Sequence, residues 1–406
     1  MMDCFATARN DKDDMNKIQD ANIENKRVLL RLDLNVPIKD NQIIGDRRIR
    51  EVIPTIQFLL DKNASQIIII THLGKPKGEK VDKYSLWPIA NCLAELLSLD
   101  VNFSNPQDEY KLSDKISMLE NLRFNSGEEE NDSEFAKQLA SHADIFVNDA
   151  FGTCHRAHAS TSKVAEMLPS FAGLLIQKEI ENLNKLLTIK EKPFTVILGG
   201  AKIADKLPVI KNLMSRADNF LIGGAVANTF LAARRHHMGK SLVEPVAYKD
   251  ANLIYQNIMD EADRNIYLPK DILMSLSQEK AEEVEEVDIE KLLQSDYNDF
   301  YAVDIGPDTI EEYQRVIKDS KTIFGNGNMG ISEVPEFSNG TDDIAEAVAK
   351  SDAQVVIGGG DTVAAVEALK ISSDKIFLST GGGATLEFLA GKQLPGLKAL
   401  GYSATM

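Results

Sequence analysis

Phe194-Thr195-Val196-Ile197-Leu198-Gly199-Gly200-Ala201-Lys202-Ile203-Ala204-Asp205-Lys206 is an apolar run of strand length, a glycine pair, and two lysines four positions apart. A run this short and this apolar reads as a strand buried on both faces. Two glycines at its end leave main-chain N–H groups able to face a phosphate, and Lys202 and Lys206 share a face if the segment is helical. The device recurs. Residues 219–222 lead into Gly223-Gly224-Ala225, residues 354–357 into Gly358-Gly359-Gly360-Asp361-Thr362, and residues 375–378 into Ser379-Thr380-Gly381-Gly382-Gly383. Four such ends predict one phosphate-binding wall.

Working outward, further short apolar runs lie at 28–32, 66–70, 145–147 and 321–324, and helix-length segments at 49–61, 86–97, 133–140 and 174–187. Strands alternating with helices imply an α/β fold with parallel sheets covered by helices on both faces. Ligands of such sheets sit beyond the carboxyl ends of the strands. The glycine-rich motifs all lie after the 174–187 segment, and a set of basic motifs lies before it. That helix is therefore the expected boundary between two domains.

The basic motifs also follow apolar runs. They are Arg31-Leu32-Asp33-Leu34-Asn35, Arg48 ahead of a helix, His72-Leu73-Gly74-Lys75-Pro76, Glu120-Asn121-Leu122-Arg123-Phe124 and Cys154-His155-Arg156. Strand alternation places Arg31, Asp33 and Asn35 on one face. Four arginines, one lysine and a histidine at comparable strand ends suit a small molecule bearing phosphate and carboxylate, because the guanidinium fork pairs with both and keeps its charge. In the second half, Asp361 is the candidate ligand for a Mg²⁺ carried by a nucleotide, since Mg²⁺ often takes only one or two protein carboxylates.

Composition narrows the field. The formal net charge of −17 argues against general binding of nucleic acid or anionic membranes. The three cysteines, Cys4, Cys92 and Cys154, show no metal-like spacing and read as reduced, which suits the cytoplasm. No apolar run approaches the ~20 residues of a membrane span, and residues 1–14 are polar, expected as a disordered extension. The acid-rich stretch 279–290 is expected to be a solvated helical face. The P-loop pattern is absent, and so is the protein-kinase H-R-D set; the dinucleotide fingerprint G-x-G-x-x-G is expected to fail as well. The residues alone thus point to a two-domain phosphotransferase, one domain gripping an anion through arginine and the other a nucleotide.

The motifs together resemble the phosphoglycerate kinase family. R-L-D-L-N-V-P at 31–37, H-L-G at 72–74, E-N-L-R-F at 120–124, V-N-D-A-F-G-T at 147–153 and H-R-A-H at 155–158 look like its first half. L-G-G-A-K at 198–202, G-G-G-D-T at 358–362, S-T-G-G-G-A at 379–384 and L-P-G at 394–396 look like its second. The resemblance implies two Rossmann-like lobes facing each other across a hinged cleft, in a monomer. It implies a phosphoglycerate-binding domain at 15–173, an interdomain helix and hinge at 174–192, a nucleotide-binding domain at 193–395, and a segment at 396–406 returning to the first domain. The implied reaction moves a phosphoryl group between 1,3-bisphosphoglycerate and Mg-ADP, giving 3-phosphoglycerate and ATP. Asp33, Leu34, Asn35, Arg48, His72, Leu73, Gly74, Lys75, Arg123 and Arg156 would bind the phosphoglycerate. Lys202, Lys206, Gly223, Gly224, Glu333, Gly359, Gly360, Asp361 and Thr362 would bind the nucleotide. Arg48 and Lys202, with amides near Gly382 and Gly383, would stabilise the moving group.

The chain departs from the family's pattern in places. Lys75 stands where the family has arginine. Gly325, Asn328 and Ser332 replace the Trp, Pro and Phe of W-N-G-P-x-G-x-F-E, and Ala225-Val226 replaces a common Gly-Met pair. The altered loop motivates one alternative, a non-catalytic binding protein descended from the enzyme. A kinase acting on another carboxylate is a third reading.

Overall fold

A computed structural model describes residues 15–294, 296–370 and 373–403. The extension at 1–14 and residues 404–406 lie outside the described residues. The chain divides into two compact units, residues 1–179 with 393–406, and residues 180–392. The division falls within the helix Leu174–Leu187, which has the bounds expected from its periodicity.

The first unit is built on a six-stranded sheet. Its strands run in the order Glu109–Lys111, Ile116–Leu119, Gln66–Ile70, Arg27–Leu32, Ile145–Asp149, Ser170–Ala172. All neighbours are parallel except the first pair. Alternation explains why its central strands are apolar throughout. Val28, Leu30, Leu32, Ile67 and Ile69 enter one core, while Leu29, Ile68, Ile70 and Phe146 enter another on the opposite face. The helix Ser133–Ala140 starts where expected because the Asp132 carboxylate accepts from the Phe135 amide at 2.8 Å. The expected single helix at 49–61 is instead two, Arg47–Glu51 and Ile53–Asp61, parted at Val52 with Pro54 in the first turn of the second. The end of the chain belongs to this unit: Leu400 accepts from the Asn16 amide and Cys154 from the Gly396 amide.

The second unit carries a parallel sheet in the order Asn265–Tyr267, Asn219–Ile222, Phe194–Leu198, Thr322–Asn326, Gln354–Gly358, Ile376–Leu378. Ile197, Leu221, Ile323, Val355 and Ile357 pack in one core with Val348 and Val363 from the covering helices. A second, antiparallel sheet joins Glu285–Asp288, Asp271–Ser275 and Tyr301–Ile305. This corrects the helical reading of 279–290. The stretch is solvated, yet part of it is an edge strand, with Val287 buried and its charged neighbours exposed. Charged side chains on an edge strand block pairing with other chains. Among the described residues no helix is long and apolar enough to cross a membrane.

Candidate functional site

In the first unit most of the expected residues meet at the carboxyl ends of the strands beginning at Arg27 and Gln66. Arg48 reaches from its short helix and donates to the Asn35 carbonyl at 3.0 Å and to Asp33 Oδ2 at 3.3 Å. Asn35 Oδ1 accepts from the Gly74 amide at 3.0 Å, and the Gly74 carbonyl accepts from Arg123 Nη1 at 2.7 Å. Arg123 also pairs with Glu129 at 3.3 Å. One chain of contacts thus joins Asp33, Arg48, Asn35, Gly74 and Arg123. Leu34 and Leu73 contribute through the backbone: their side chains are buried, and their amides donate to Thr71 Oγ1 and Asn121 Oδ1. Arg156 is exposed, and its charge acts on Arg123. Lys75 is exposed.

Several of these residues are buried, Asp33 and Arg123 among them, and His72 and Arg31 are the deepest of the polar ones. His72 is 4% exposed, and burial first, then Arg31, Arg123, His158 and Arg48, push its imidazole well below the ordinary value. Arg31, expected to face the ligand, is wholly buried and donates to the Leu32 carbonyl, Ser160 and His72. Strand alternation sets the side of a side chain but not its depth. Asn121 is another residue that the sequence quoted without a role. Its amide group ties Leu73 to the Tyr84 carbonyl and the Arg123 amide, which fixes both the H-L-G turn and the arginine.

In the second unit a cavity of about 500 Å³ opens at the strand ends. It is lined by Lys202, Lys206, Gly224, Glu333, Gly359, Gly360, Asp361 and Thr362, all expected. Apolar side chains line it as well, from Leu242, Ile272, Val303 and Ile331. Lys206 is buried, and burial lowers its ammonium pKa, against a raising effect of Asp205 and with a lowering one of Lys202. No helix carries Lys202 and Lys206; a single turn, Ile203–Asp205, aims both at the cavity. Gly360 begins the helix Gly360–Ala368, so the amides of its first turn lack intrahelical acceptors. Asp361 sits there, exposed.

The other glycines work differently from the expectation. The amides of Gly199, Gly200, Gly223 and Gly224 are not free; they donate to the carbonyls of Asn326, Asn328, Leu198 and Met329. A Cβ at Gly199 would stand 2.2 Å from the Asn328 carbonyl oxygen, and one at Gly327 2.2 Å from the Gly199 carbonyl oxygen. These glycines let three main-chain segments stack as the cavity's back wall. Gly223 lies behind that wall against Met329. Gly382, with φ +52°, and Gly383 open a different helix, Gly383–Leu389, in the same unit. Residues 325–330 also spell G-x-G-x-x-G, contrary to the expectation that the dinucleotide pattern is absent. No helix opens at its third glycine, as a dinucleotide site requires; the chain runs on to a short turn at Pro335–Phe337.

One cavity residue had no signal in the sequence. Asp304 is 4% exposed, and burial pushes its carboxyl up to about 7, although the amides of Gly340 and Ile305 donate to it at 2.7 and 2.9 Å. The nearby charges of Asp342 and Asp343 raise it further.

Comparison with known proteins gives a consistent result. The sequence model of the family described as phosphoglycerate kinase matches residues 18–392. The phosphoglycerate kinase of Dictyoglomus turgidum is 47% identical over 392 residues, covering 94% of this chain and 97% of that one. That of Moorella thermoacetica is 44% identical over 391 residues, covering 94% and 98%. The solved structure of phosphoglycerate kinase from Coxiella burnetii superposes with a TM-score of 0.79 at 36% identity, covering 96% of this chain and 100% of that one. With family motifs in order along the chain, strand-end sites in both units and relatives matching at full length, this chain belongs to the phosphoglycerate kinase family.

Proposed function

We propose that the arginine-lined strand ends of the first unit bind the phosphoglycerate and that the glycine-walled cavity of the second binds the nucleotide. The activity is that of a phosphoglycerate kinase, a phosphotransferase linking 1,3-bisphosphoglycerate and ADP to 3-phosphoglycerate and ATP. The segregation of chemistry supports the division of roles. Asp33, Asn35, Arg48, Gly74 and Arg123 form one contact chain, while Lys202, Lys206 and the 359–362 turn line one cavity.

The reaction asks little of a protein base. The attacking oxygen, a carboxylate or an ADP phosphate, is already ionised. Catalysis therefore rests on positioning and on neutralising charge that spreads over the transferred group. Arg48, 30% exposed and held by Asp33 and Asn35, would bring its guanidinium charge to that group. Lys202 serves from the nucleotide side, and Lys206 grips phosphate. Amides near Gly382 and Gly383 add donors. Glu333, exposed at the cavity mouth, suits the ribose.

Asp361 would hold Mg²⁺. Among the described residues no group of three or more His, Cys, Asp or Glu could cage a metal ion. One protein carboxylate is enough for a hard cation that brings phosphate and water oxygens with it, and Asp361 is exposed in the cavity. Bound with the nucleotide, Mg²⁺ neutralises phosphate charge. We also read the chain as a cytoplasmic monomer, the compartment being consistent with three cysteines at no metal-like spacing.

The test is ATP consumption with and without 3-phosphoglycerate. Turnover that requires 3-phosphoglycerate is expected. Turnover indifferent to it, or supported equally by acetate or aspartate, would overturn the substrate assignment. A non-catalytic protein would consume no ATP under any of these conditions, and no feature of the two sites favours that reading.

A further inference from the structure

Behind the first unit's site lies a polar relay in which no member is more than 4% exposed. Glu128 Oε1 accepts from Ser160 Oγ at 2.6 Å, and its Oε2 accepts from the Ser160 amide at 3.0 Å. Ser160 Oγ accepts from Arg31 Nε at 2.8 Å. Arg31 Nη2 lies 3.1 Å from His72 Nδ1. Glu128, Ser160 and Arg31 are each 0% exposed, and His72 is 4% exposed. The members come from four separate stretches of chain: the turn after Asn125, the turn Ala159–Lys163, the strand Arg27–Leu32 and the end of the strand Gln66–Ile70.

The chemistry of these groups leaves one arrangement of protons. A guanidinium donates and cannot accept. Nδ1 of His72 must therefore offer its lone pair to Arg31, so the ring hydrogen sits on Nε2. A second proton on Nδ1 would point at Arg31, and the other charges around the ring, Arg123 and Arg48, with His158 beside them, oppose it as well. The carboxylates acting on Arg31 are Glu128 and Asp33. Nε2 makes no hydrogen bond to the described residues and is not a fully buried atom, so it is open to a ligand.

We propose that Glu128 and Ser160 are positioning residues that, through Arg31, lock His72 as a neutral imidazole whose Nε2–H is a fixed donor to the anionic substrate. The inference rests on the reading of this site as the phosphoglycerate site. Glu128 supplies the buried negative charge that keeps Arg31 in place, and Ser160 transmits it with one donated and one accepted hydrogen bond. His72 then adds a donor without adding a fourth positive charge beside Arg31, Arg48 and Arg123. A neutral donor of this kind keeps the same strength across the pH range in which a free histidine changes charge.

Nitrogen-detected NMR of the ring, with the resonance assigned by its loss in His72→Gln, tests the relay in the unmodified protein. The expected spectrum has a lone-pair Nδ1, a protonated Nε2 and no titration from about pH 5 to 8. A proton on Nδ1, or titration in that range, overturns the relay. In Ser160→Ala the KM for 3-phosphoglycerate should rise severalfold and gain a pH dependence, while kcat and the KM for ATP stay within twofold. Glu128→Gln, which keeps the side chain's shape, should shift the same parameters in the same direction. Unchanged, pH-independent KM in both folded variants also overturns the relay. The site reading is judged separately: it fails if His72→Gln leaves the KM for 3-phosphoglycerate unchanged, whatever the tautomer.

Discussion

Asp304→Asn should make this protein's stability less sensitive to pH, by an amount that the burial of one carboxyl sets. The folded carboxyl sits at about 7, above its ordinary value of 3.8. Between those values the unfolded chain has released its proton and the folded chain has not. Stability from this group is therefore fully present below about pH 4 and is lost as pH rises through 7. Each unit of separation is worth about 1.4 kcal/mol, so raising the pH from 5 to 8 should cost the wild type about 3 kcal/mol through this group alone. Asparagine does not titrate. Its amide nitrogen would face one of the two N–H groups that Asp304 accepts, a penalty that does not vary with pH. The quantity to measure is the wild-type minus variant difference in unfolding free energy, from urea titrations at pH 5 and pH 8. The single tryptophan, Trp87, lies in the first unit and would miss the unfolding of the second, so circular dichroism is the suitable probe. A difference that stays constant between the two pH values would refute the assignment of a raised, buried carboxyl to Asp304.

Arg48→Ala should lower kcat by ~10²–10³ with ADP affinity nearly unchanged; stopped turnover accompanied by lost ADP binding would count against its assigned role. Its partly exposed pair with Asp33 should be worth only about 1 kcal/mol of stability or less, so the variant should stay folded. Asp361→Asn should raise the Mg²⁺ concentration needed for half-maximal activity, and an unchanged Mg²⁺ titration would move the metal to another residue. Lys75→Arg should lower the KM for 3-phosphoglycerate severalfold while leaving that for ATP alone, because a planar fork can bridge two oxygens where an ammonium cannot; equal shifts in both would exclude direct contact. Solution scattering should show compaction only when both substrates are bound, with the hinge at 174–192, and a ternary complex of unchanged radius would remove the hinge.

Much of the frame was readable because buried parallel strands cannot hide. The runs at Arg27, Gln66, Phe194 and Gln354 are apolar on both faces, since helices cover both. The small antiparallel sheet was not readable. Its strand Glu285–Asp288 buries one side chain in four and presents acids to solvent, so composition outweighed the weak alternation. The break at Val52 was signalled by Pro54, which sits in the first turn of a new helix, a position that proline favours. In the candidate site, residue identity marked the basic cluster and the two lysines. Depth and connectivity were out of reach: that Arg31 is wholly buried, that Asn121 staples a turn, and that Asp304 lines the cavity depend on segments distant in sequence.

The stacked main chain behind the nucleotide cavity has a consequence for how the site can change. At Gly199 and Gly327 any side chain would meet a carbonyl oxygen at 2.2 Å, so those positions have no viable alternatives. A selection over a saturated library at the two positions should return only glycine; recovery of active variants with larger residues would disprove this. An inhibitor that leans on that surface would therefore meet no single-residue escape there. Resistance would have to arise where side chains rather than main chain line the cavity, as at Leu242 and Ile331.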